Sequence, residues 1–322
     1  MHQKVTDRVL IIKAKGGLGN RILSAVTGLV LADLTHRRPF IDWRDGTYAP
    51  EGVNSYPLLF DSSLAADCSA YDRAEEVHPN VWNGRVGLHP THIVEGFFPG
   101  HHSDPFIYRR SAASLGKLDF DTPVAVFWSY LPKLARLRRH LARDGRFAHE
   151  SQSETFNRYL RTYFQPVADV KTRAEALLAG VPRPIIGVHV RYTDLKTPLD
   201  PIRNAIWRQL RSAPEASIFL ATDNLHVERQ LREEFSRIVL HPKLLPESGQ
   251  ALYLHSLGVV EEAKNALMDM WTLAQCDRLV HAARSTFSRA GALMGGIPES
   301  HQIDVDRYNP KIRAKILFQR YA

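Results

Sequence analysis

Cysteine is scarce in this 322-residue chain, with Cys68 and Cys276 its only two. Two thiols cannot build a disulfide framework or a cysteine-based zinc site, and a reducing compartment is the simpler expectation. Long apolar runs are missing as well. The longest, residues 22–34, is interrupted by Ser24, Thr27 and Asp33, and a membrane span needs about 20 apolar residues. Near the start only VLII is continuous, too short for the apolar region of a signal peptide. The expectation is a soluble, cytoplasmic protein. Several catalytic signatures are absent too. No Gly-Lys-Ser/Thr closes the glycine turn at residues 15–21, so it is not a Walker A loop. There is no HExxH, His101-His102 has the wrong spacing for one helical face, and no GxSxG elbow occurs. No metal site is expected.

What is present is ordinary globular composition, 44% apolar and 24% charged, which excludes a disordered, collagen-like or rod-like chain. The length suggests about two domains. Net charge is +8, which suits an anionic partner: a nucleotide, a nucleic acid or an acidic membrane surface. A solvated basic surface accounts for it equally. Residues 133–143 (KLARLRRHLAR, Lys133 to Arg143) set Leu134, Leu137 and Leu141 on one face, with basic residues elsewhere. A surface helix is expected there, with peripheral membrane or acceptor contact as the functional alternative. No aromatic residue is interleaved, so nucleic-acid binding by stacking is not expected.

The periodicity predicts two α/β halves. Residues 9–14 (VLIIKA) read as a buried strand, 18–35 as a buried helix and 39–43 (PFIDW) as a second strand, together a βαβ unit. Residues 93–98 and 124–130 read as further strands. The stretch 44–122 is rich in Gly, Pro, Asp and Ser and has no readable order. From residue 185 onward the pattern is regular. Strands are expected at 185–191, 217–223, 238–241, 278–281 and 303–305, with helices at 201–211, 225–235, 261–276 and 287–294. Such alternation means a parallel sheet with helices on both faces. The Pro-rich GVPRP at 180–184 marks a boundary, dividing the chain into 1–178 and 179–322.

Five places carry chemistry. The glycine turn holds Gly17, Leu18, Gly19 and Asn20 between a strand and a helix, where free N–H groups suit an oxyanion. It lacks the third glycine of a dinucleotide fingerprint, yet Asp42 sits where a ribose-binding acid would, so a dehydrogenase stays open. His189 and Arg191 share one face at the carboxyl end of their strand, where open parallel sheets bind ligands, and Arg is suited to phosphate. An Arg–Asp pair bracing the turn is the bland alternative. Asp223 ends the next strand as a ligand contact or a helix cap. Asp269 lies among Leu267, Met268, Met270 and Trp271, where a carboxylate needs donors. The N1–H and N2–H of guanine would serve, as would an internal Arg or Lys. Ser285 and Thr286 open another oxyanion-ready turn, or cap its helix.

These blocks together resemble a known family. IIGVHVRYTD, IFLATDN and the run from HSLGVVEEAKNALMDMW to ARSTFSRAGALM are similar to the nodulation fucosyltransferases of rhizobia and the α-1,6-fucosyltransferases of animal N-glycans. KGGLGNRI and RRPFIDWRDGTY resemble the nodulation enzymes, and GGLGN also resembles the α-1,2- and protein O-fucosyltransferases. The resemblance implies a GT-B-like fold, two Rossmann-like domains with parallel sheets facing a cleft. It implies a GDP-fucose donor, inversion at the anomeric carbon and no cofactor or metal. It puts the donor on the C-terminal domain and the acceptor, an oligosaccharide or glycolipid, on the N-terminal one. By motif, Arg191 holds the β-phosphate, His189 and Asp269 the guanine, and Gly17, Leu18 and Ser285 the diphosphate. Tyr192 replaces a second Arg of the animal enzymes. The segment after Asp194 is shorter than theirs, leaving Lys196, Asp200 and Asp194 as acid–base candidates beside Arg191. The expected activity is therefore transfer of fucose to a saccharide hydroxyl, the 6-hydroxyl of N-acetylglucosamine in a chitin-like oligosaccharide being the acceptor that the resemblance suggests. Another nucleotide sugar or acceptor, a nucleotide-dependent dehydrogenase and a non-catalytic sugar-nucleotide or glycan binder are the alternatives.

Overall fold

The computed structural model describes residues 8–101, 103–193, 196–242 and 258–322. In chain order the elements are β1 (Val9–Lys13), α1 (Leu18–Leu34), β2 (Arg38–Asp42), α2 (Tyr56–Leu59), β3 (Phe60–Asp61), β4 (Val77–His78), α3 (Pro90–Phe97), α4 (Pro105–Arg110) and β5 (Val124–Phe127). Then come α5 (Arg138–Leu141), α6 (Gln152–Tyr163), β6 (Gln165–Pro166), α7 (Ala168–Leu178), β7 (Ile185–Val190), α8 (Leu199–Ser212), β8 (Ser217–Thr222), α9 (Leu225–Glu234) and β9 (Ile238–Leu240). The chain ends with α10 (Val259–Ala274), β10 (Arg278–His281), α11 (Thr286–Gly295), β11 (Gln302–Asp304) and α12 (Pro310–Tyr321).

Two compact units result, Met1–Phe164 with Ile316–Ala322, and Gln165–Lys315. The changeover falls ahead of the GVPRP stretch rather than at 178/179, because α7 packs on α10 through Arg173–Glu261 and Lys264–Asp169 pairs. In the first unit four parallel strands run in the order β2-β1-β5-β4. In the second, five parallel strands run β11-β10-β7-β8-β9. Strands β1, β5, β7 and β8 are buried along their whole length, as sheets covered on both faces require. Each order reverses once, between β1 and β5 and between β7 and β10. Open sheets bind ligands outside the carboxyl ends at such points.

Two expected elements differ. Residues 93–98 fall mostly in helix α3, not a strand. His89 caps it by accepting from Thr91 N at 3.2 Å, and Pro90 opens it; proline is pre-set for a first helical position. Residues 133–143 are not one amphipathic helix. They form a 3-10 turn, Leu134–Leu137, followed by the single turn α5. Lys133 is buried, and its ammonium donates to the carbonyl of Gln319 in α12.

Candidate functional site

The carboxyl edge of the second sheet gathers most of the sequence-selected residues. Helix α11 starts after β10 with Ser285 as its N-cap, yet no side chain caps it and its first turn holds no acid. The first N–H groups of a helix have no partner within the helix, so this end presents positive dipole and donors. Ser285 is buried, and its Oγ meets no hydrogen-bond partner among the described residues. A buried hydroxyl left so is costly unless something binds there.

Arg191 follows β7 across the switch point. Its loop is fixed by Asp223 at the end of β8, which accepts from Tyr192 N and from Thr193 Oγ1, each at 2.7 Å. Asp223 is therefore a brace for the loop. The cap of α9 is Asn224, which accepts from Val227 N at 3.0 Å. Arg284 donates to the carbonyl of Lys196 at 3.3 Å, joining the β10–α11 turn to the β7–α8 loop. Its Nε lies 3.3 Å from Asp306 Oδ2, within ion-pair reach but without hydrogen-bond alignment. Burial pushes the Asp306 carboxyl up, opposed by Arg284. The His189 ring stacks on Phe287 of α11, centroids 5.1 Å apart.

Asp269 is buried on α10. Its Oδ1 lies 3.1 Å from His241 Nδ1, so the Nδ1 proton belongs on the carboxylate side. Arg173 Nη2 approaches the other nitrogen of His241 at 3.4 Å. Asp269 thus has an internal partner in a histidine, where the sequence offers an Arg or Lys as the alternative to guanine. Neither His241 nor Arg173 stood out in the sequence. A histidine just past a strand in a regular βα series was the only signal, since the partners lie 28 residues apart. Of the acid–base candidates, Asp194 lies outside the described residues. Lys196 is exposed. Asp200 stands in the first turn of α8, its side chain 86% exposed and 3.6 Å from Arg203.

The first sheet's switch point carries the glycine turn. Gly17 is the N-cap of α1, again with no side-chain cap and no first-turn acid, and Leu18, Gly19 and Asn20 are buried in that first turn. Gly16 has φ +83°, and a Cβ there would stand 2.7 Å from the Tyr130 ring, so only glycine fits. Arg21 is buried between Trp43 and Tyr48. It donates to Gly16 O at 2.8 Å and to both oxygens of Asp45. Burial raises the Asp45 carboxyl, but His89 and Arg21 overcome this and hold it far below the usual range.

Asp42 does not stand ready for a ribose. It is buried against Lys13 Nζ at 2.7 Å and Arg44 Nε at 2.8 Å. Burial would push it up, yet these two cations pull it down to about 2. Arg44 also bonds Asp72 at 2.6 Å, which completes a self-neutralised group. The dehydrogenase alternative loses its ribose acid.

Among the described residues no group of three His, Cys, Asp or Glu side chains could hold a metal ion. No described helix is long and apolar enough to cross a membrane.

No protein-family model matches the chain. It is 24% identical to nodulation protein Z of Bradyrhizobium diazoefficiens, over 89% of this chain and 79% of that protein. It is 25% identical to nodulation protein Z of Azorhizobium caulinodans, over 89% of each. A crystal structure of fucosyltransferase NodZ from Bradyrhizobium superposes with a TM-score of 0.60 at 21% identity, covering 89% of this chain and 93% of that one. NodZ α-1,6-fucosyltransferase soaked with GDP-fucose gives 0.59 at 20% identity, covering 89% and 92%. Arabidopsis thaliana FUT1 in complex with GDP gives 0.57 at 14% identity, covering 90% and 69%. The sequence similarity and the fold comparison agree: this chain is similar to nodulation protein Z in sequence and shares the GT-B-like α/β fold of the NodZ structures.

Proposed function

We propose that this protein is an inverting, GDP-fucose-dependent glycosyltransferase. The second unit binds the donor and the first serves the acceptor, an oligosaccharide or glycolipid hydroxyl. The observation that carries this is the β7/β10 switch point. An uncapped helix start and a buried Ser285 hydroxyl, unpartnered among the described residues, stand there beside the braced Arg191 loop. That is a seat for a diphosphate. The relatives whose names include fucosyltransferase and GDP-fucose support the choice of donor.

In the reaction, an acceptor hydroxyl attacks the anomeric carbon as the bond from that carbon to the diphosphate oxygen breaks. The bonding pair leaves with GDP, and the hydroxyl proton passes to a carboxylate. Arg191, the α11 N–H groups and Ser285 stabilise the charge growing on the diphosphate, with Thr286 at the same helix start; in the first unit, Gly17, Leu18, Gly19 and Asn20 are the donor-binding residues that the resemblance assigns. That set supplies the neutralisation without requiring a metal. Asp269 takes the guanine edge with His189 beside it, and Asp223 holds the Arg191 loop. Asp200 is the proposed base, with Asp194 and Lys196 as the other acid–base candidates. The 6-hydroxyl of N-acetylglucosamine in a chitin-like oligosaccharide is the proposed acceptor, and the cytoplasm the proposed location.

A thermal-shift comparison of GDP, UDP, CMP and NAD tests the reading. A ligand at 100 times its Kd stabilises by about 2.7 kcal/mol. GDP should raise the melting temperature most. A larger shift with NAD or UDP would overturn the donor assignment.

A further inference from the structure

Helix α12 contributes no buried residue in its sequence PKIRAKILFQRY, which also contains no acid. In its last turns Leu317, Phe318 and Tyr321 are 58%, 54% and 42% exposed. Their spacing of one, three and four residues puts them on one face. Phe106 of α4, 50% exposed, meets Phe318 edge-on with centroids 6.1 Å apart. Contiguous exposed apolar surface of this kind marks an interaction site. The helix is held by its polar groups instead, through Lys133 to the Gln319 carbonyl and Arg320 to Gln152.

Beside this patch lie several arginines, with Asp104, the cap of α4 that accepts from Phe106 N at 2.8 Å, as an acid at its Phe106 end. Arg138 lies 6.0 Å from the Tyr321 ring and Arg109 6.0 Å from the Phe106 ring. Arg136 is close enough to Arg109 for the two to repel. Burial and that repulsion bring Arg136 down to about 10, and burial with Arg136 and Arg109 brings Lys133 down to about 8. Among the described residues neither Arg109 nor Arg136 has an acidic partner. The fold therefore assembles unneutralised guanidinium groups beside exposed aromatic rings.

We propose that the first unit docks on an anionic membrane surface through this face, with Phe106, Leu317, Phe318 and Tyr321 entering the headgroup boundary and Arg109, Arg136 and Arg138 meeting acidic lipid headgroups. Aromatic and leucine side chains with a basic rim are the composition of a helix lying in the interface. A second copy of the chain fits worse, since a two-fold contact sets the same arginines against each other. This surface also differs from the amphipathic helix expected at residues 133–143. Lys133 is turned inward there, and α12 supplies the apolar side chains.

Vesicle flotation tests the proposal. The full chain is mixed with phosphatidylcholine vesicles, or with vesicles in which about a third of the lipid is phosphatidylglycerol. The wild type should float with the anionic vesicles only, and less at high salt. The double variant Arg109→Gln, Arg136→Gln should partition about 10- to 30-fold less. Leu317→Ser with Phe318→Ser should also weaken binding. Leu317 and Phe318 are more than half-exposed and neither arginine has an acidic partner among the described residues, so melting temperature and GDP-induced stabilisation should stay near wild-type values in both variants. Equal flotation with neutral vesicles, or unchanged flotation of the variants, overturns the proposal. So does a concentration-dependent dimer that Phe318→Ser dissolves while no vesicle binding is seen, which would give the face to a second copy.

Discussion

The two sheets end differently at their carboxyl edges. In the first unit the charged side chains there are spent on each other: Lys13, Asp42, Arg44 and Asp72 in one group, Arg21, Asp45 and His89 in another. In the second unit the edge keeps a buried hydroxyl that has no hydrogen-bond partner among the described residues, at a helix start that, like that of α1, has no side-chain cap. A charged cluster closed on itself holds loops in place and asks for nothing from outside. An edge with unspent donors is stabilised when an anion arrives. The proposed seat therefore rests on the buried Ser285 hydroxyl of the second edge, and not on helix capping, which the two edges share.

The comparison is broken most directly at Asp42. Asp42→Ala strands the buried Lys13 ammonium, and removing one partner of a buried pair costs about 3–5 kcal/mol. Urea unfolding should report that loss, while GDP affinity of the remaining folded protein stays within a few-fold. Loss of GDP affinity at unchanged stability would instead make the first edge a nucleotide site. The reverse is expected of Arg191→Ala. Turnover should fall about 10²–10³-fold, equivalent to about 3–4 kcal/mol, with the melting temperature nearly unchanged. Full activity in a folded variant would remove Arg191 from the seat.

Acid should act on the second sheet through a buried histidine. Burial pushes His281, at the end of β10, from 6.5 down to about 4. The unfolded chain then takes up a proton that the fold refuses. Stability is complete above about pH 6.5 and lost as pH falls towards 4, by about 3 kcal/mol. Asp42, pulled from 3.8 down to about 2, acts only below that range, where its loss destabilises the first unit. Hydrogen exchange followed by pH should find β10 losing protection in this range; burial also lowers His78 of β4 in the first unit, which titrates in the same sense. Undiminished protection of β10 at pH 4 would contradict this.

Asp269 sharpens the contrast, because it belongs to both kinds. One oxygen is already tied to His241. Asp269→Asn should therefore lower the melting temperature and also weaken GDP by about 10- to 150-fold, or about 1.5–3 kcal/mol. IDP, which lacks the 2-amino group, should bind the wild type less well and lose less on mutation. Calorimetry giving an unchanged GDP-to-IDP ratio would leave Asp269 a structural group only. The smallest effect is expected at Ser285. Ser285→Ala removes an unsatisfied hydroxyl, so stability should hold or rise while GDP weakens about 2- to 12-fold. Lower stability with unchanged GDP affinity would make the serine a cap.

Much of the second sheet was legible in the sequence because fully buried parallel strands are written as short apolar runs between helical repeats. Ile185–Val190 and Ser217–Thr222 are such runs. Residues 93–98 misled because IVEGFF is as apolar as a strand, and the deciding signal, His89 and Pro90, lies just upstream. Helix α6 had an equally local signature, Ser151 and Glu154 closing a capping box, which the apolar pattern alone does not reveal. At the site, a carboxylate among methionines announced Asp269. Its partner did not announce itself, since hydrogen bonds between elements far apart in sequence leave no periodic trace. The same holds for Asp42, whose spacing suggested a ribose contact and whose neighbours decide otherwise.

Helices α10 and α11 touch backbone to backbone. A Cβ on Gly295 would stand 2.0 Å from the Ala274 carbonyl oxygen, and one on Gly291 would stand 3.0 Å from that of Met270. Residues bearing a Cβ at these places would force the helices apart, so the pair moves as one piece. Asp269 rides on one helix and Ser285 at the head of the other. The distance between the proposed base contact and the proposed diphosphate contact is thereby set as in a caliper with its jaws clamped. On the proposed reading, such a gauge would measure a nucleotide along its length and reject one that is a phosphate too short, whatever sugar it carries.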